Sequence, residues 1–199
     1  VRARGPASRS AGASLRAARA RAGRCLRAAD VPVCLMGYYI ILCRWEGVLR
    51  AFFAEAAALV VACLIVPALP PDEDAEHYFD CCRAAGLHPV LVVSPNITDN
   101  RLAALAPYAS GLVYTTARVG TAGAESRVLD PAFSAYMGRL RKAFGALPIA
   151  VGFGIRSRAQ VEALAGLAEL AVVGTQLLSA LAEKGPDAAC AELARVAGR

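Results

Sequence analysis

The sequence predicts an α/β fold of about six parallel β/α units, and three observations carry that expectation. Short β-rich apolar segments alternate with longer helical patterns along the 199 residues. Those segments are apolar at nearly every position, as strands covered on both faces are, rather than at every second one. Hydrophobic residues make up 57% of the chain and charged residues 19%, which suits a layered domain with a large interior better than a charged helical bundle. One domain is expected over 1–199, long enough to bury a sizeable core. A complete eight-unit barrel typically needs about 250 residues, so this length supplies about six units, and an open doubly wound sheet shares the same alternation.

The elements follow in order. Positions 1–29 carry eight arginines and no acid, whereas the other 170 positions carry 14 bases and 16 acids, so the net charge of +6 belongs to one N-terminal segment. Its Arg/Ala pattern over 15–29 reads as a solvated helix face, and the lack of interleaved aromatics argues against nucleic-acid binding. The segment shares its lack of acids with mitochondrial transit peptides but shows no cleavage pattern, and the chain has no initiating Met, which suggests a fragment.

A strand is expected over 31–36, then a helix over 48–58 entering a strand over 63–66. The apolar run over 51–69 approaches membrane-span length, but Glu55 interrupts it and Pro67 and Pro70 end it, so a core helix running into a buried strand explains it and no membrane role is expected. Pro71 followed by Asp72, Glu73 and Asp74 predicts a helix over 71–85, because proline suits the first turn and acids suit the positive end of a helix dipole. Gly86 is expected to close it, and Pro89 to begin a strand over 89–93. Beyond it come a helix over 99–106, a strand over 112–115, a helix over 131–144, a strand over 149–152, a helix over 158–166, a strand over 170–173 and helices over 176–183 and 187–196.

Seven cysteines (Cys25, Cys34, Cys43, Cys63, Cys81, Cys82 and Cys190) show no C-x-x-C spacing, and neither His77 nor His88 pairs with one at ligand spacing, so no metal site is expected. Buried, inert thiols are expected at Cys34 and Cys63, in a reduced cytosolic compartment.

Chemistry is expected at the ends of the strands. Val151-Gly152-Phe153-Gly154-Ile155-Arg156-Ser157 and Val172-Val173-Gly174-Thr175-Gln176 each lead from a strand into a helix. Glycine lets backbone N–H groups approach a ligand and a helix start adds donors, so the pair can hold a phosphate; tight βα turns are the plainer reading of each loop alone. The loop from Ala117 to Glu125, with Arg118, Gly120 and Ala122 in it, is rich in small residues and long enough to close over a substrate, or else is a plain connection. Tyr38, Tyr114 and Phe153 fall at or just beyond strand ends, where rings can border a planar apolar substrate or simply cap the core. No G-x-S-x-G elbow is present, neither Lys142 nor Lys184 sits at a strand end, and no Asp or Glu lies there either, so the visible chain offers no nucleophile and no acid/base pair.

Five stretches, in order along most of the chain, resemble the tryptophan synthase alpha subunit family: Pro32-Val33-Cys34-Leu35-Met36-Gly37-Tyr38-Tyr39, Leu64-Ile65-Val66-Pro67-Ala68-Leu69-Pro70-Pro71, His88-Pro89-Val90-Leu91-Val92-Val93-Ser94-Pro95-Asn96, Tyr114 through Gly123, and Val151-Gly152-Phe153-Gly154-Ile155. The resemblance implies a (β/α)8 TIM barrel of which about six units are present, with positions 1–30 a basic helix ahead of the third barrel strand. It implies retro-aldol cleavage of indole-3-glycerol phosphate to indole and glyceraldehyde 3-phosphate in tryptophan biosynthesis, in the cytoplasm, with no cofactor of its own. It also implies a beta-subunit partner that holds pyridoxal phosphate and receives the indole. Carried onto matching positions, Gly123, Gly154, Gly174 and Thr175 bind the phosphate, Tyr38, Tyr114 and Phe153 border the indole, and Arg118, Gly120 and Ala122 belong to the lid loop.

The family's two catalytic carboxylates come from the second strand and the loop behind it. Gly5-Pro6 resembles the end of that loop, so both lie upstream of Val1 and the fragment is expected to be inactive. Ala122 stands where the family has a lid threonine, Ala68 where it has an aspartate, and Ile40 where it has an asparagine, while Leu59-Val60-Val61-Ala62-Cys63 replaces a Gly/Asp turn. A non-catalytic barrel remnant that binds a phosphate or a beta-type subunit is the alternative.

Overall fold

The computed structural model describes residues 31–39, 49–59, 61–67, 69–74, 77–117, 131–152 and 154–198. The helix expected over 15–29 lies outside them. The chain divides into two compact units, Val1–Pro89 and Val90–Arg199.

In the first unit, β1 (Val33–Met36) and β2 (Val61–Ile65) pair in parallel, with Cys34 opposite Cys63 and Met36 opposite Ile65. Between them runs α1 (Leu49–Ala58), and α2 (Tyr78–Ala84) follows a single 3-10 turn at Pro71–Glu73. The core is aromatic: Phe53 of α1 and Phe79 of α2 pack on the Tyr78 ring, at centroid distances of 5.7 and 5.2 Å. The Tyr78 hydroxyl donates to the Leu64 carbonyl of β2 at 3.4 Å, so its one polar atom is not left without a partner in the interior.

Two expectations are corrected here. The helix over 71–85 does not form as one piece, because His77, with φ of 56°, stands in the left-handed region and breaks it. Of the three acids, Asp74 does the capping: its two carboxylate oxygens accept from the Tyr78 and Phe79 N–H groups at 2.7 and 3.0 Å. Gly86, at φ of 75°, does close α2, and the Leu87 N–H returns to the Cys82 carbonyl at 3.1 Å in a Schellman-type ending. Second, Cys34 and Cys63 are not separate inert thiols but a disulfide, with Cα atoms 4.6 Å apart. Parallel register puts them side by side within the range a disulfide spans, which a separation of 29 in sequence does not reveal.

The second unit begins within β3 (His88–Val93), at Val90, and continues through α3 (Asp99–Leu105), β4 (Val113–Thr116), α4 (Pro131–Phe144), β5 (Ile149–Gly152), α5 (Arg158–Glu162), β6 (Leu170–Ala171), α6 (Thr175–Lys184) and α7 (Pro186–Ala197). The strands pair in parallel and in chain order, with Leu91 opposite Val113, Val113 opposite Ile149 and Ala150 opposite Leu170. α4 starts on a proline and buries Phe133, Tyr136, Met137, Leu140 and Phe144, the spacing of one helical face. Thr98 caps α3 by accepting from the Arg101 N–H. Arg139 of α4 reaches Asp99 at 2.6 Å and also donates to the Ile97 carbonyl, which ties α4 to the start of α3.

The expectation that every strand is buried on both faces holds for β4 and β5, whose residues are all buried, and fails for β6, whose two residues are exposed, and for β1, whose residues are half-buried or exposed. β6 pairs only with β5 among the described residues, so its other edge has no strand partner there. No described helix is long and apolar enough to cross a membrane.

Candidate ligand site at the strand ends

Alternation along β4 sorts its side chains onto two faces. The Thr115 hydroxyl points to the helix layer, 2.7 Å from the Tyr136 hydroxyl of α4 and 3.3 Å from the Val93 carbonyl. Burial pushes the Tyr136 phenol up to about 12, so this hydroxyl pair stays neutral at physiological pH. Tyr114 and Thr116 therefore occupy the opposite face.

The Tyr114 ring lies across the end of β5: a Cβ at Gly152 would overlap its hydroxyl and ring. Register places Thr116 directly opposite Gly152, and the Ala117 N–H extends the ladder to the Gly152 carbonyl at 2.8 Å. Tyr114 is 4% exposed, and burial raises its phenol pKa above the ordinary value, so the ring presents a neutral, largely apolar edge.

The two glycine loops leave neighbouring strands. Val151 pairs with Ala171, and Gly154 and Gly174 each stand three residues beyond that pair. Their helix starts differ. At α5, Ser157 and Gln160 form a capping box: Ser157 Oγ accepts from the Gln160 N–H, and Gln160 Oε1 accepts from the Arg156 and Ser157 N–H groups at 2.8 and 3.2 Å. At α6, Gly174 is the N-cap and no side chain among the described residues caps the helix, so its first-turn amides from Thr175 onward have no side-chain acceptor there. Both Gly174 and Thr175 are exposed.

Of the residues singled out from sequence, the structure thus groups Tyr114, Gly154, Gly174 and Thr175 on the β4, β5 and β6 ends of the second unit. Tyr38 belongs to the first unit, just past β1, and is 65% exposed; its neighbour Tyr39 packs edge-on against Tyr78. Gly123, Phe153, Arg118, Gly120 and Ala122 lie outside the described residues, as do Ala68 and Ile40. A cavity of about 620 Å³ sits elsewhere, between α3 and α4, and its lining includes Asp99, Leu102, Arg139 and Lys142 but none of the expected site residues. Sequence reasoning missed Thr116 and the Tyr114–Gly152 fit. The fit depends on which residue the register sets opposite which, and only the small residue ending an otherwise apolar strand hinted at it.

Parallel β/α units with glycine loops at the carboxyl ends of the strands define an α/β protein of the ligand-binding kind, built as (β/α)8 barrels and open parallel sheets are. The model of the tryptophan synthase alpha chain family matches residues 13–197. A tryptophan synthase alpha chain of Desulfotalea psychrophila is 40% identical over 159 residues, which cover 80% of this chain and 61% of that one. A mutant tryptophan synthase alpha-subunit from the hyperthermophile Pyrococcus furiosus superposes with a TM-score of 0.78 at 29% identity, over 94% of this chain and 75% of its own. The tryptophan synthase complex from the same organism gives 0.79 at 27% identity, with the same coverage of both chains. The chain belongs to the tryptophan synthase alpha chain family, and its fold is that of the family's TIM barrel. It spans about three fifths of the length of the curated relatives it matches.

Proposed function

We propose that this chain carries the substrate-holding part of a cytoplasmic carbon–carbon lyase of the tryptophan synthase alpha type, acting on indole-3-glycerol phosphate. The phosphate rests on backbone N–H groups of Gly154, Gly174 and Thr175, with Gly123 contributed by the lid loop. Tyr114 borders the indole, together with Tyr38 and Phe153, and Arg118, Gly120 and Ala122 lie in the loop that closes over it. Indole passes to a beta subunit that carries pyridoxal phosphate, while this chain uses no cofactor.

The observation that carries this reading is the uncapped, glycine-led start of α6 beside Gly154, with a buried neutral Tyr114 on the neighbouring strand end. A helix start without its own acceptor stabilises an anion through open donors and the positive end of the helix dipole. Retro-aldol cleavage also needs one carboxylate to move protons at the indole carbon and glycerol hydroxyl and another to hold the charge developing on the indole nitrogen. Among the described strand ends there is neither Asp nor Glu.

That last observation favours one further reading, a binding-only barrel that holds the phosphate ligand or a beta-type subunit without cleaving anything. One pair of measurements separates the two: binding of indole-3-glycerol phosphate to the 199-residue chain by calorimetry, and indole release from it with and without a beta subunit. Binding without release fits the holding role and leaves the lyase reading to depend on carboxylates from other residues. Release above the uncatalysed rate establishes the lyase. Absence of binding overturns the holding role and the phosphate-binding barrel, and leaves only a barrel that binds a beta-type subunit.

A further inference from the structure

Thr116 is 8% exposed, and its Oγ1 is buried with no hydrogen-bond partner among the described residues. Its neighbour Thr115, equally polar and on the same strand, is satisfied twice over. A buried hydroxyl without a partner costs free energy that a valine of the same shape would avoid, so its presence asks for a partner that arrives from outside. Thr116 shares the face of Tyr114, one step closer to the strand end, and lies opposite Gly152, two residues before Gly154 in the first glycine loop. Thr116 therefore stands on the strand-end side of Tyr114 on that face, beside the strand that leads into the first glycine loop.

We propose that the Thr116 hydroxyl is a specificity group of this site, which hydrogen-bonds a hydroxyl on the carbon chain joining the aromatic ring to the phosphate of the bound ester. The proposal rests on the reading of the site given above. Tyr114 recognises the ring, the start of α6 recognises the phosphate, and Thr116 distinguishes a hydroxylated linker from a plain alkyl one. Binding supplies the partner that the unliganded fold lacks.

The test uses the 199-residue chain with Thr116→Val and Thr116→Ser, and two probes titrated by calorimetry: indole-3-glycerol phosphate and indole-3-propyl phosphate, which lacks the chain hydroxyls. Thr116→Val is expected to weaken the glycerol ester about tenfold, the worth of one hydrogen bond, and to leave the propyl ester within twofold. Thr116→Ser is expected to keep the preference. Without ligand, Thr116→Val is expected to raise the melting temperature, because an unsatisfied buried hydroxyl has gone. Equal weakening of both esters, or a lowered melting temperature, overturns the proposal, since either result means that the hydroxyl has a structural partner. If the unaltered chain binds neither ester, the reading of the site fails. If it binds both and Thr116→Val changes neither, only the role of Thr116 fails.

Discussion

Gly152 has no room for a side chain, because the Tyr114 hydroxyl and ring occupy the place of its Cβ. Gly152→Ala is therefore expected to cost about 1 to 3 kcal/mol, as overpacking does. Tyr114→Ala should relieve it, so that the double variant is more stable than the two single losses add up to, measured by denaturant unfolding. At Gly174 the expectation takes opposite signs in two measurements. Gly174→Asp supplies a capping carboxylate to α6 and should stabilise the chain by a few tenths of a kcal/mol, yet it should weaken any phosphate ester at least tenfold by filling and charging the same donors. Stabilisation without loss of binding would place the phosphate elsewhere. Sequence made Gly154, Gly174 and Tyr114 legible because glycines before helices and rings at strand ends have local signatures. Thr116 had none and Gly152 only the hint of a small residue ending an apolar strand, since their importance arises from register across β4 and β5 and from a hydroxyl left without a partner among the described residues.

At the scale of elements, the chain's local chemistry set the identity of helices and strands well and their ends less well. Pro131–Phe144 was legible to the residue, because proline marks its start and its apolar spacing is regular. α2 was not, because three acids look alike in sequence and only Asp74 reaches the Tyr78 and Phe79 N–H groups. Asp74→Ala is expected to destabilise by about 1 kcal/mol, the usual cost of a lost cap, whereas Asp72→Ala and Glu73→Ala should change little; chemical denaturation distinguishes them.

Glu169 links three elements, accepting from the Ile149 N–H of β5 at 2.7 Å and from Arg141 of α4 at 2.6 Å just before β6. The Ile149 N–H chiefly, with help from Arg141 and against some desolvation, holds its carboxyl below the ordinary 4.5. A depressed folded pKa gives stability that is present above the unfolded value and is lost as pH falls through the folded one. The stability gap between the natural chain and Glu169→Gln should thus be open at pH 7 and close as pH drops below about 4.5. The Cys34–Cys63 link closes a loop with a sequence separation of 29 between β1 and β2. Replacing both with Ser should cost about 3 to 4 kcal/mol under non-reducing conditions, on the chain-entropy scale for a loop of that length, and nothing once a reductant is added, which paired melts with and without dithiothreitol would show.

For the whole molecule, the alternation of apolar strands and amphipathic helices was enough to read the fold class, because burial of both strand faces leaves so plain a pattern. What the pattern could not show is where burial stops. β6 exposes Leu170 at 45%, Val172 just after it at 39%, and α6 and α7 expose Leu178, Leu181 and Leu193 at 67%, 47% and 50%. These large apolar side chains belong to a strand that pairs with β5 alone among the described residues and to helices following it. A strand edge bordered by exposed leucines invites pairing with another chain, and the charge of Glu169 beside it is already engaged by Arg141 and the Ile149 N–H. The 20.7 kDa chain is therefore expected to show a mass above its monomer in light scattering, increasing with concentration. Leu178→Lys with Leu181→Glu should return it toward the monomer, because both positions are already open to water and their charges oppose apolar association without disturbing a core. A concentration-independent monomer in the unaltered chain would show that the leucines are covered from within the chain itself.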